Sequence, residues 1–111
     1  MEPYEIDVKA CFDFVQTNAQ NLGKAKSEII RLEAKTKATK AALMDASDSS
    51  SVAMKEADAY KHITYLEVVN ELAAATAEEC RLGILIKAAF FKIEVFKSLE
   101  YTRRAEIKNI G

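Results

Sequence analysis

Apolar residues recur every seven positions through the first third of the chain, at Val8, Val15, Leu22, Ile29 and Leu43, with Thr36 in the same phase. A companion position three residues later reads Cys11, Asn18, Ala25, Leu32 and Thr39. Two interleaved positions of this kind form one stripe along an α-helix, so the pattern predicts a first long helix over residues 4–44. A helix of about 40 residues spans roughly 60 Å at about 1.5 Å per residue. That is more than a small globule covers, so it must pack along another long helix, in this chain or in a second subunit.

The segment Asp45-Ala-Ser-Asp-Ser-Ser-Ser51 interrupts the pattern with small polar side chains that compete for backbone hydrogen bonds. It reads as a polar turn over residues 45–51, with Ser49, Ser50 or Ser51 as the cap of the next helix. That second helix is expected over residues 52–108, free of proline, on the spacing Tyr65, Val69, Leu72, Thr76, Ile86, Phe90 and Ile93. A break near residues 79–83 would divide it and let the C-terminal piece fold back; the pattern leaves one helix or two open. The fold class is therefore all-α, a single domain over residues 1–111. It is a long helical hairpin with a further C-terminal helical segment, assembling through coiled-coil-like packing.

Composition agrees with this. One proline and three glycines in 111 residues leave too few turn signals for a β-sandwich, and half the residues are apolar, too many for a disordered tail. The C-terminal segment is apolar around most of the helix, at Ala88, Ala89 and Val95 and at Ile84, Leu85, Ile86, Phe90, Phe91, Ile93, Phe96 and Leu99. Two long helices in one small chain cannot cover every face, so the last eight of these residues are expected to build an oligomer interface. No apolar run exceeds four residues, so no membrane span or membrane partner is expected. Cys11 and Cys80, with no leader motif ahead of them, point to the cytoplasm and read as packing residues.

The net charge of −1 conceals alternating blocks. Residues 1–22 carry net −3, 23–44 net +4, 45–80 net −6 and 81–111 net +4. The basic blocks contain Lys24, Lys26, Arg31, Lys35, Lys37 and Lys40, then Lys97, Tyr101, Arg103, Arg104 and Lys108. Lys97, Tyr101, Arg104 and Lys108 follow helical spacing on one stripe, with Arg103 beside it. Arginine forks to phosphate and a tyrosine that stacks on an unpaired base form the combination used for single strands, so these eleven residues are the candidate nucleic-acid contacts.

Catalytic chemistry is sparse. His62 has no Cys or His one helical turn away, and the carboxylate pairs Glu67/Glu71 and Glu78/Glu79 lack the Glu-x-x-His spacing of di-iron helices. No phosphate-binding glycine loop is present. The expectation is a protein without enzymatic activity, metal or cofactor.

The run Glu28-Ile-Ile-Arg-Leu-Glu-Ala-Lys-Thr-Lys37 before a polar break, then Gly83-Ile84-Leu85, Lys97-Ser98 and Arg104-Ala-Glu-Ile-Lys108, resembles the UvsY-like recombination mediator family of T-even phages. The resemblance covers residues from about Tyr4 to Ile110. It implies a small helical protein that forms a homo-oligomeric ring through its C-terminal helix and binds single-stranded DNA. It further implies help in loading a RecA-like recombinase onto strands coated with a single-stranded DNA-binding protein. Lys37 falls at a basic position of the family. The competing expectation is a helical protein-protein adaptor or phage-type inhibitor that touches no nucleic acid. The two differ in the use of charge. DNA binding needs the bases of 24–40 or 97–108 together on an open face, whereas an adaptor pairs them with the acidic block Asp45–Glu79.

Overall fold

The computed structural model describes residues 6–110, and the side chains of 6–109. Among them it contains three helices and no strand: α1, Val8–Ala46; α2, Val52–Lys61; and α3, Ile63–Ile110. The protein is all-α, a long helical hairpin with one further helix. That further helix is not C-terminal: it is the ten-residue α2, in the connection between α1 and α3.

Capping explains the boundaries. Asp7 accepts a hydrogen bond from the Ala10 amide on Oδ1 at 2.9 Å, and its carbonyl accepts from the Cys11 amide. A carboxylate in that position satisfies an amide that has no partner within the helix, so α1 begins at Val8 and not at residue 4. Residues 4 and 5 lie outside the described residues. At the other end α1 continues through Asp45 and Ala46, which shortens the connection to residues 47–51. Ser51 caps α2, its side chain accepting from the Met54 amide at 3.2 Å.

The second long element divides at His62, and not at residues 79–83. His62 is extended (φ −70°, ψ 137°), its N–H donates to the Ala59 carbonyl to close α2, and its Nδ1 accepts from the Thr64 amide to open α3. One residue thus serves both helix ends. Gly83 lies inside α3 with open space where a Cβ would be, so a glycine there lowers helix propensity without forcing a break.

The chain clusters into two compact units, Gly23–Cys80 and Met1–Leu22 with Arg81–Gly111. A side chain on a long helix reaches only its immediate surroundings, so contacts group by segment. In the Gly23–Cys80 unit, Leu32, Ala59 and Val68 are buried, each at most 3% exposed. Val68 takes the inward place that the sequence spacing assigned to Val69, and Val69 is 36% exposed. In the other unit Leu82, Ala89 and Ile93 form the core; Ala89 takes the place expected of Phe90, which is 47% exposed. The inward stripe of α3 therefore reads Tyr65, Val68, Leu72, Ala75, Glu79, Leu82, Ile86, Ala89, Ile93, Phe96, alternating steps of three and four. That spacing is the 3.5-residue period of coiled-coil packing.

Polar residues on the α1 stripe satisfy themselves locally. Asn18 Nδ2 donates to the Phe14 carbonyl at 2.9 Å and Thr36 Oγ1 to that of Leu32 at 2.7 Å. Of the cysteines, Cys11 is half-buried, but Cys80 is exposed instead of packed, because it falls off the inward stripe.

Candidate nucleic-acid interface

The two basic blocks have different fates. In the first, α1 turns its lysines to either side of the apolar stripe, where the acidic residues of α2 and α3 meet them. Lys40 Nζ donates to Glu56 Oε1 at 2.8 Å and to Tyr60 Oη at 2.8 Å, and the Tyr60 hydroxyl donates to the same Glu56 oxygen at 2.9 Å. The ammonium also lies 4.7 Å from the Tyr60 ring centroid, and that ring meets Tyr65 edge-on at 5.3 Å. Hydrogen bonds to Glu56 and then Tyr60 hold the Lys40 pKa above its ordinary value and, reciprocally, Glu56 below its own.

Lys35 Nζ lies 3.6 Å from Glu71 Oε2. Arg31 forks onto Glu28, one turn back on the same helix, with Nε to Oε2 at 3.0 Å. This hydrogen bond raises the Arg31 pKa and lowers that of Glu28. Arg31, Lys35 and Lys40 are therefore engaged within the chain. Lys24, Lys26 and Lys37 are exposed with no ion pair among the described residues, but Lys24 projects from one side of α1 while Lys26 and Lys37 project from the other. The structure does not gather the six into one open patch.

The second block does gather. Lys97, Tyr101, Arg104 and Lys108 follow one another at steps of four, three and four, which at about 100° per residue confines them to a single face of α3. Every residue from 101 to 109 is exposed, and Tyr101 reaches 78%. Tyr101, Arg104, Ile107 and Lys108 line one shallow surface groove together. Lys97 has a single, exposed contact to Glu94 at 3.4 Å, which costs little to exchange for another anion. Arg103 belongs elsewhere. It sits 3.5 Å from Glu100, so its charge is opposed by a carboxylate, and it lines a second groove with Phe96 and Leu99.

The expected oligomer-interface residues also separate. Ile93 is core, 3% exposed, and Ile86 and Phe96 are half-buried on the same inward stripe. Ile84, Leu85, Phe90, Phe91 and Leu99 are exposed. Ala88, exposed, and Val95, half-buried, were not among the expected interface residues, yet their spacing places them on one outward stripe with Ile84 and Phe91.

Serine hydroxyls occupy the hairpin end of the Gly23–Cys80 unit. Ser49 Oγ and Ser47 Oγ both donate to Asp58 Oδ2, at 2.6 and 2.8 Å, and lower its pKa in that order of effect. They tie the connection to α2 beside an open depression that His62 also borders.

Among the described residues no three His, Cys, Asp or Glu side chains group as a metal site, and no helix is long and apolar enough to cross a membrane. No family model, curated protein or solved structure matches this chain.

Proposed function

We propose that the protein is a non-enzymatic single-stranded DNA-binding recombination mediator that contacts DNA through the last turns of α3. The observation that carries this reading is the open face of Lys97, Tyr101, Arg104 and Lys108. Three cations in register supply the phosphate attraction, and an exposed tyrosine supplies a ring for an unpaired base. One such stripe binds weakly, so the reading includes more than one copy per strand, each further contact costing less entropy than the first. A RecA-like recombinase and a single-stranded DNA-binding protein are the further partners, on the strength of the sequence resemblance.

The test is fluorescence anisotropy with a labelled single strand across a salt series. Affinity is expected to fall by about 0.7 log units per log unit of salt for each phosphate contact. Arg104→Glu with Lys108→Glu is expected to abolish binding while Lys35→Glu leaves it nearly intact. A loading assay for a RecA-like recombinase on protein-coated strands then tests the mediator role.

A helical adaptor or inhibitor without nucleic-acid binding is the second reading. The pairs Lys35–Glu71 and Lys40–Glu56 favour it, since they use bases of the first block within the chain. Absence of binding at low salt would select it.

A further inference from the structure

The segment of α3 from Leu82 to Phe96 carries two apolar stripes, both on coiled-coil spacing. One faces inward through Leu82, Ile86, Ala89, Ile93 and Phe96. The other, Ile84, Ala88, Phe91 and Val95, steps four, three and four along the opposite side. Ile84 is 67% exposed and Phe91 68%. A helix needs one such stripe to pack in its own chain; the second is covered only at its C-terminal end, where Phe91 and the half-buried Val95 border a shallow groove with Ile6, Asp7, Ala10 and Cys11 of α1.

We propose that this outward stripe pairs α3 with the α3 of a second copy, antiparallel, about a two-fold axis passing between Ala89 and Phe90. The pairing deepens the self-association part of the reading above and rests on nothing in its nucleic-acid part. Three features select this occupant and direction. In the antiparallel register Ile84 meets Val95 of the second copy, and Ala88 meets Phe91, so the largest side chain of the stripe falls opposite the smallest. Both contacts occur twice by symmetry.

Charge is the second feature. Lys87 and Glu94 lie on the same flank of the stripe, one heptad apart. Antiparallel helices bring equivalent flanks together, so Lys87 faces Glu94 of the second copy and Glu94 faces its Lys87. Glu94 need only exchange an exposed contact with Lys97. On the other flank Lys92 lays its aliphatic stem over Leu85 of the second copy. A parallel pair would instead bring Lys87 against Lys92 on both sides of the seam. Thirdly, Arg81 and Ser98 occupy the next stripe positions at either end. A shift of one heptad would set Arg81 on Phe91, or Ile84 on Thr102. Only the unshifted register keeps apolar against apolar. Such a contact is isologous and closes at two copies, unlike the head-to-tail contact of a ring.

Sedimentation equilibrium of the full chain without DNA, over a micromolar concentration range, tests the pairing. The expected mass is twice the 12.3 kDa of one chain. Phe91→Lys is expected to weaken the dimer by at least about 100-fold, because a Phe contact is lost twice. Helicity by circular dichroism should stay unchanged, since Phe91 takes no part in the core. Lys87→Glu places like charges opposite each other and is expected to weaken the dimer several-fold, and adding Glu94→Lys should restore it. A single-chain mass throughout the range overturns the proposal, as does a Phe91→Lys dimer of wild-type affinity. Tightening by Lys87→Glu overturns the antiparallel direction, and a mass above two chains overturns the closed two-fold. Arg104→Glu, which tests the nucleic-acid contact, should leave the mass unaltered, so the two readings fail separately.

Discussion

At the scale of single residues, hydrogen-bond partners decide which charges are available. Lys40 looks like any other lysine of its block in sequence, yet Glu56 and Tyr60 take two of its three N–H groups and Glu56 opposes its charge. Arg104 and Lys108, with no ion pair among the described residues, keep theirs. Replacing Lys40 with Met should therefore lower the melting temperature while leaving strand affinity near wild type, measured by thermal denaturation and anisotropy on the same sample. The carboxylates set an acid limit. Glu56 is held below its ordinary pKa by Lys40 and Tyr60, and Asp58 by Ser49 and Ser47. A group with a depressed folded pKa contributes stability that is complete above its unfolded pKa and is lost as pH falls through the folded one. Stability is thus expected to be level near neutrality and to decline below the ordinary carboxylate range, by urea denaturation at successive pH values. Asp58→Asn should make that decline shallower.

Among the elements, the junction between α2 and α3 depends on one residue. His62 closes one helix with its amide and opens the next with its ring nitrogen. His62→Ala removes the cap and should cost about 0.5–2 kcal/mol, whereas Asn, a strong cap former, should recover most of it; equilibrium unfolding measures both. The two faces of α3 also predict opposite responses to a charge. Ile93→Asp places an unpaired carboxylate in the core and should destabilise the fold by about 3–5 kcal/mol. Ile84→Asp should change stability little and act on association alone. The C-terminal segment is thus not uniformly an interface, although its composition suggests so. Apolar count treats Ile93 and Ile84 alike; the phase of the inward stripe separates them.

For the whole molecule, the all-α class, two long helices and the polar connection were legible in the sequence. The reason is that a seven-residue repeat sustained over α1 has no other stable solution, and a run of Ser and Asp has no helical one. The α1 stripe was legible residue by residue, from Val8 to Leu43, because one strong stripe on an otherwise polar helix has only one phase. On α3 the apolar residues surround the helix, so several phases fit, and Val69 and Phe90 were read inward where Val68 and Ala89 are. Alanine cores escape a reading weighted by size, since a small residue is what close approach requires. The break at His62 escaped for a different reason: nothing in Lys-His-Ile-Thr forbids a helix, and the imidazole caps α3 only once the chain has turned. The basic stripe of α3 was legible because four residues on one helix keep their mutual placement wherever the helix goes. Whether a lysine of α1 meets a carboxylate depends on where another helix lies. The sequence by itself determined the helices, their periodicity and the charges each carries, since these arise from neighbours along the chain. Which stripe became core, and which cations were neutralised, only the tertiary structure decided, because both depend on groups brought together from distant positions.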